Sequence, residues 1–503
     1  MSDQIVVLSP RDNVAVAIQR LEIGAVVQGV IVRETIGRGH KLALRAIAAG
    51  EPIVKYGEQI GYASEGIEAG DHVHVQNIGP SALVDRPSAS PVAPAAIADD
   101  WHRRTFQGYR RASGRVGTRN FIGVLTSVNC AATAAKSIVT DIAKRIDLSA
   151  YPEVSGIAAF PHSSGCGMSD QGLGFELLKR TLHGYASHPN FGGILMVGLG
   201  CEQFQIQRLV KECNLTIGEN FDYLVIQEEG GTQATVEAGV ARLQRMLPHV
   251  AKARREPCPI SELSVALQCG GSDSYSGITA NPALGRAMDI LVGAGGTAIL
   301  TETPEIYGAE HLLAARARDA GVQDRLYARI AWWESYAKFF GNVLNNNPSP
   351  GNKAGGLTTI MEKSLGAIAK GGSTTLEQVV DYAEQPSRRG LIFMDGPGFD
   401  PCSATGQIAS GANVLCFTTG RGSAFGCKPV PSIKLATNEQ LYERMVGDMD
   451  INCGDIINGT SLDAKGIEIL DTIITIASGE RTKSETLGYG DLEFIPWQLY
   501  AVL

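Results

Sequence analysis

The sequence predicts an α/β protein in which a small, mostly β unit precedes two runs of strand-then-helix. Three observations carry this. From about residue 105 onward, short apolar runs alternate with segments of helical period. Glycine is abundant, at 59 of 503 residues, as tight strand-to-helix turns require. The first 85 residues lack the alternation and read as short β runs broken by glycine and polar pairs.

In residues 1–85 the strand-like runs are VVLSP, AVVQGVIV, KLALRAI, PIVKYG and DHVHVQNIG; only NVAVAIQRL has a helical period. RPSASPVAPAAIADD has no apolar period, and residues 86–104 are expected to be a linker. A middle domain is expected over 105–255. There NFIGVLTSVNC is followed by AATAAKSIVTDIAKRI, and SGIAAFPHSSGCG by GFELLKRTLHGYA. GGILMVGLGCE then precedes QIQRLVKEC, and FDYLVIQEEGG precedes TQATVEAGVARLQRML. Successive strand-helix units imply a parallel sheet covered by helices. After a break at ARREPCPIS, a third domain is expected over 256–503. Its strands are ELSVALQC, TAILTET, GLIFMDGPG, NVLCFTTG and SIKLATN, with NPALGRAMDILVGAG and EIYGAEHLLAARARDA as helices. The stretch NNNPSPGNKAGGLTT, 345–359, is longer than a connector needs, and loops of that size are often functional.

Composition narrows the function. A net charge of −8 argues against a broad nucleic-acid footprint. The N-terminus lacks the basic and apolar regions of a signal peptide, and the apolar runs are too short to span a bilayer. A cytoplasmic chain without nucleic-acid or membrane partners is expected. Ten cysteines are scattered without any C-x-x-C pair, which excludes a zinc ribbon and disfavours a simple ferredoxin-type cluster.

Chemistry collects where the apolar runs end. The endings hold Asn129-Cys130; His162 with Cys166; Cys201-Glu202; Glu228-Glu229; Cys269 with Ser272 and Asp273; Glu302; Asp395; and Arg421 with Ser423. In an open parallel sheet, ligands sit beyond the carboxyl ends of the strands. Cys130, His162, Cys166, Cys201, Cys269, Asp273 and Glu302 are therefore candidate metal ligands, a mixed donor set suited to Fe²⁺, Mn²⁺ or Zn²⁺. The plainer alternative is that a cysteine ends a strand because it is small and apolar. His40 and Lys41 follow the turn Gly37-Arg38-Gly39 and are candidates for proton transfer. His72 and His74 share a strand face; with His40 they could form a metal site, but a solvated strand face is the preferred reading. Lys353 and Arg421, in glycine-rich loops, suit a carboxylate. Ser272, Asn281, Asn352 and Ser423 are the candidate substrate-binding side chains beside them. The glycines at 420, 422 and 426 are spaced too widely for a dinucleotide fingerprint, and the prolines of CKPVPS oppose the helix it needs.

RGHKLAL, GYRRASGRVGTRNFIGVLTSVNC, GLGCE, QCGGSDSYSGITANP, NPSPGNKAGG and FTTGRGSAFG together resemble the altronate/galactarate dehydratase family, in matching order from about residue 10 to the C-terminus. KYGEQIGYA and DHVHVQN are closer to the altronate type; GYRRASGRVGTRN is also similar to the galactarate type; PHSSGCGM departs from both. The resemblance implies an N-terminal β-clip (SAF) domain, a linker, a middle domain used in dimerisation and a Rossmann-like C-terminal domain. It also implies a metal site in the C-terminal domain, holding Fe²⁺ or alternatively Mn²⁺ or another divalent ion. The implied reaction removes water from a sugar acid, D-altronate giving 2-dehydro-3-deoxy-D-gluconate. Alternatives are galactarate, another leaving group such as sulfite, or a sugar-acid-binding protein without turnover. His40 is the expected acid or base, and Lys353 and Arg421 the expected stabilisers of negative charge.

Overall fold

The computed structural model describes residues 4–79, 99–344, 347–500 and 502. The expected linker lies outside these residues as far as 98, and Asp99–Arg103 form a short 3₁₀ turn. The first two asparagines of the 345–359 stretch also lie outside.

The N-terminal unit is antiparallel β throughout. Val14–Ala17 lies between Ile5–Val6 and Lys41–Ala43, and His72–Val73 extends that sheet. A second small sheet pairs Pro52–Lys55 with Glu58–Ala63 and Ile78–Gly79. The helical period of NVAVAIQRL is overridden: Val14–Ala17 is a strand with every residue buried. Alternating valines favour the pleat, and pairing on both edges outweighs the local pattern.

The middle unit has four parallel strands, β1 (Phe121–Thr126), β2 (Gly156–Phe160), β3 (Phe191–Gly198) and β4 (Phe221–Val225), in the order β2-β1-β3-β4. Helices α1 (Ala132–Arg145), α2 (Leu173–Ala186), α3 (Ile206–Glu212) and α4 (Thr232–Val250) connect and cover them. Every residue of β1 and β3 is buried, which explains why these runs are continuously apolar.

The C-terminal unit is a seven-stranded parallel sheet. In chain order its strands are β5 (Ser264–Cys269), β6 (Thr297–Leu300), β7 (Leu376–Val380), β8 (Gly390–Met394), β9 (Val414–Thr419), β10 (Ser432–Ala436) and β11 (Ile451–Asn452). Their spatial order is β7-β8-β6-β5-β9-β10-β11. Helix α5 (Ala280–Gly293) starts with Asn281-Pro282 in its first turn, where proline's missing N–H costs nothing. Helices α6 (Ile360–Ile368), α7 (Asp400–Ala409) and α8 (Leu462–Ala477) complete the cover. One apolar core joins the two α/β units, running from Phe160, Leu182 and Tyr185 to Ile408 and Phe417. Gly184 of α2 permits this contact, because a Cβ there would stand 2.6 Å from the Cα of Ala409 in α7. Among the described residues, no helix is long and apolar enough to cross a membrane.

Candidate active site

β5 lies near the middle of its sheet, between β6 and β9, so its carboxyl end opens into the crevice where parallel sheets bind ligands. The chain leaves it as Cys269-Gly270-Gly271-Ser272-Asp273. A Cβ on Gly270 would stand 2.2 Å from Asp400 Oδ2, and one on Gly271 would meet the Cβ of Arg421 at 3.2 Å. Only bare backbone threads this gap. It separates a buried ionic cluster around Cys269 from an open cavity beside Asp273.

In the cluster, Lys370 Nζ donates to Cys269 Sγ at 2.9 Å and lies 3.7 Å from Glu302 Oε2. Lys363 Nζ donates to Glu305 Oε1 at 2.7 Å, as does Asn347 Nδ2 at 2.9 Å. Cys269 Sγ faces Glu305 Oε2 at 3.7 Å. Burial pushes the Cys269 thiol up to about 12. Burial, then the Glu305 charge, raises the Glu302 carboxyl well above the usual range. Burial would raise Glu305 too, but the Lys363 ammonium overrides it and holds Glu305 low. Asp400, at the start of α7, is raised to about 6 by burial and by Glu305.

These donors fit a divalent ion. Cys269, Glu302 and Glu305 can bring one ligand atom each within 4.8 Å of one another, and Glu302 Oε2 is buried with no hydrogen bond. One sulfur and two carboxylates suit a borderline metal such as iron, manganese or zinc. Lys363 and Lys370 compete with such an ion for the same anions.

The cavity on the other side has a volume of about 230 Å³. Its walls include Arg38 from the N-terminal unit, Asp273 and Tyr275 from the β5 loop, and Arg421 and Arg444 from beyond β9 and β10. Three guanidiniums around one small cavity suit a carboxylate. Asp273 is fully engaged: Ser276 N and Oγ donate to its Oδ1 at 2.9 and 3.0 Å, and Thr437 Oγ1 and Asn438 Nδ2 also donate to the carboxylate. A Cβ on Gly420 would collide with it. A larger, more apolar cavity of about 410 Å³, lined by Trp333, Phe340 and Asn347, reaches the ionic cluster through Asn347. Of these two cavities the arginine-lined one is the better match to an anion, because its walls carry three guanidiniums.

The N-terminal unit is clamped onto this edge. Lys41 Nζ donates to Glu362 Oε2 at 2.9 Å and to Gly356 O at 2.8 Å; Lys55 Nζ donates to Glu362 Oε1 and Ser274 Oγ. All three ionic side chains are buried. Burial, with help from Lys55, pushes Lys41 down to about 8 against the pull of Glu362. His40, His72 and His74 form one cluster, with His40 Nδ1 2.9 Å from His72 Nε2. His74 Nε2 lies 3.0 Å from Lys353 O, and His40 Nε2 lies 3.4 Å from Ala354 O. The strand face read as solvated is therefore packed against the 353–356 segment, because a second unit covers it. Burial lowers His40 and holds His72 and His74 at about 4.

Known proteins match this sequence along nearly the whole chain. The altronate/galactarate dehydratase SAF domain matches residues 3–80, the D-galactarate dehydratase/altronate hydrolase second domain 108–251, and the D-galactarate/altronate dehydratase C-terminal domain 260–502. The altronate dehydratase of Escherichia coli (strain K12) is 36% identical over 497 residues, 97% of this chain and 98% of that protein. This chain belongs to the altronate/galactarate dehydratase family. The galactarate dehydratase (L-threo-forming) of the same organism is 38% identical over 93% of this chain and 92% of its own length. The altronate dehydratase of Bacillus subtilis (strain 168) is 35% identical over 96% of both chains.

Within this family member, the remaining candidates fall in three places. Ser272, Asn281 and Asn352 are buried framework beside the cavity: Asn352 Nδ2 donates to Ser272 O, and Asn281 bridges Gly366 O and Thr418 Oγ1. Lys353 lies in the last turn of the short helix Pro350–Ala354, and Ser423 Oγ accepts from Phe425 N. Cys130, Cys166 and Cys201 are exposed in the middle unit, whereas Cys269 is buried in the C-terminal one. His162 is buried there, with Nε2 2.9 Å from Thr126 O and Nδ1 accepting from Ser164 N, so both ring nitrogens are used in holding its loop. The sequence reading passed over Arg38, Arg444, Glu305, Lys363, Lys370, Glu362 and Asp400. The one local hint was α6, where Glu362 and Lys363 sit inside an otherwise apolar helix.

Proposed function

We propose that this protein eliminates water from a six-carbon sugar acid, D-altronate, giving 2-dehydro-3-deoxy-D-gluconate. The observation that carries the reading is the cavity where Arg38, Arg421 and Arg444 converge beside Asp273. The arginines would bind the C1 carboxylate by charge-assisted hydrogen bonds. They would also stabilise the second negative charge that develops on it when the C2 proton leaves.

His40 is the proposed base. Burial keeps its imidazole neutral and able to accept a proton, and it abuts Ala354, which lines the cavity. Asp400, raised to about 6, is the proposed acid for the departing C3 hydroxyl. The C2 proton passes to the base, the C3 hydroxyl leaves as water, and the resulting enol ketonises without redox change. Cys269, Glu302 and Glu305 would hold the metal, proposed to be Fe²⁺, which when bound supplies Lewis-acid polarisation of a substrate oxygen. Lys353, next in the chain to the cavity-lining Ala354, is the proposed source of further positive charge at the rim. A homodimer joined through the middle unit is proposed, in the cytoplasm; ten free cysteines suit a reducing compartment.

The test is anaerobic incubation of the purified protein with Fe²⁺ and, separately, D-altronate and galactarate. Formation of a 2-oxo-3-deoxy acid from D-altronate supports the reading. Turnover of galactarate alone reassigns the substrate, and no 2-oxo acid from either sinks the enzyme reading.

A further inference from the structure

Cysteine is among the most buried of residue types. Six of the ten cysteines here are buried and Cys213 is half-buried; the three exposed ones are Cys130, Cys166 and Cys201. Those three follow the carboxyl ends of three adjacent parallel strands, β1, β2 and β3. In sequence they are unrelated by any short spacing, yet the topology delivers all of them to one edge.

Their loops are tied pairwise, each time through a residue next to or within two or three of the cysteines. Asn129 N donates to Ser164 O at 3.0 Å, and Asn129 Nδ2 donates to His162 O, which joins the Cys130 and Cys166 loops. Ser127 Oγ donates to Glu202 Oε1 at 2.7 Å, which joins the Cys130 and Cys201 loops. Phe204 N donates to Gly165 O, which joins the Cys201 and Cys166 loops. Buried Glu202 also accepts from Leu199 N and Gly200 N, and His162 braces its own loop with both ring nitrogens. Gly165 has φ +96°, and a Cβ there would stand 2.2 Å from Ser127 O. The loops are thus closely packed and prearranged, while the thiols themselves are left in solvent.

We propose that Cys130, Cys166 and Cys201 are the protein ligands of an iron–sulfur cluster in the middle unit. Thiolates select iron–sulfur clusters and other soft metals. The thiols are not drawn around a single ion, because among the described residues only Cys269, Glu302 and Glu305 bring donor atoms within 4.8 Å of one another. A cluster needs wider spacing, since its iron–sulfide core lies between the ligands. Gly165, Gly167 and Gly200, all at positive φ, flank Cys166 and Cys201, so no side chain of theirs stands between the loop backbone and a cluster. Three thiolates are one short of the usual four, so one iron would stay open to an oxygen ligand.

The full-length chain is purified anaerobically, reconstituted with Fe²⁺ and sulfide, and desalted. Iron, acid-labile sulfide and zinc are then measured with the visible absorbance. Retained acid-labile sulfide with at least as much iron is expected, the sulfide falling at least several-fold in each of Cys130→Ser, Cys166→Ser and Cys201→Ser but not in Cys213→Ser. The substituted thiols are exposed, and circular dichroism with gel filtration verifies each fold. No retained sulfide, zinc in its place, or sulfide that persists in the three variants overturns the proposal. These readouts need no substrate, so they are independent of the dehydratase reading.

Discussion

Lys41 of the N-terminal unit and Glu362 of the C-terminal unit form a fully buried ion pair, Nζ to Oε2 2.9 Å, and Lys55 closes on the other oxygen of the same carboxylate at 2.8 Å. Two ammoniums therefore share one anion in a dry interface. Thr358 adds two further donors, from N at 2.9 Å and Oγ1 at 2.6 Å. This lock holds Arg38 and His40 against the carboxyl edge of the large sheet.

Removing the anion leaves two buried cations without a partner. Glu362→Gln should cost about 3–5 kcal/mol in urea unfolding, the usual penalty for breaking a buried pair from one side. Replacing Lys41, Lys55 and Glu362 together by Met, Met and Leu should cost less than Glu362→Gln alone. Equal stability of Glu362→Gln and wild type would show that the lock is not ionic.

Acid should loosen the protein before carboxylates titrate fully. Burial holds His162 at about 4 and His188 at about 3, with His72 and His74 at about 4. All lie below the ~6.5 of a free imidazole. The unfolded chain then binds protons that the native chain refuses, so stability is complete above pH ~6.5 and falls as pH drops toward 4. Urea midpoints at several pH values check this; a midpoint that rises on acidification contradicts it.

Lys370 occupies the electrostatic place of a metal beside Cys269 and Glu302. Lys370→Met should tighten divalent-metal binding at least several-fold, measured by equilibrium dialysis with Fe²⁺ or Mn²⁺. Glu305→Gln should weaken it. No change in either variant would remove this cluster from the metal chemistry.

His40→Asn should reduce kcat by about 10²–10⁴-fold, the usual contribution of an acid–base group, with little change in KM. Turnover at the wild-type rate would take His40 out of the mechanism.

Much of the architecture was legible because buried parallel strands are largely apolar along their length, as β1, β3, β5 and β9 are. The endings of these strands pointed to Cys269 and Glu302, which the fold brings together. What was illegible depends on partners remote in sequence. Lys41 and Glu362 are 321 residues apart, and nothing near either says the charge is buried. Asp273 looked like a ligand, yet Thr437 and Asn438 arrive from β10 to occupy its oxygens. His74 alternates on its strand like a surface residue, and only the packing of Lys353 against it makes it interior. Lys370 sits in a glycine-flanked turn that reads as solvated until Cys269 is placed beside it.

The central claim is that Arg38, Arg421 and Arg444 hold the substrate's carboxylate between the two units. The most direct measurement is the steady-state KM for D-altronate of Arg421→Gln against wild type. A hydrogen bond to a charged group contributes about 1.5–3 kcal/mol, so KM should rise about 10- to 100-fold. An unchanged KM with intact turnover would mean that the acid binds elsewhere.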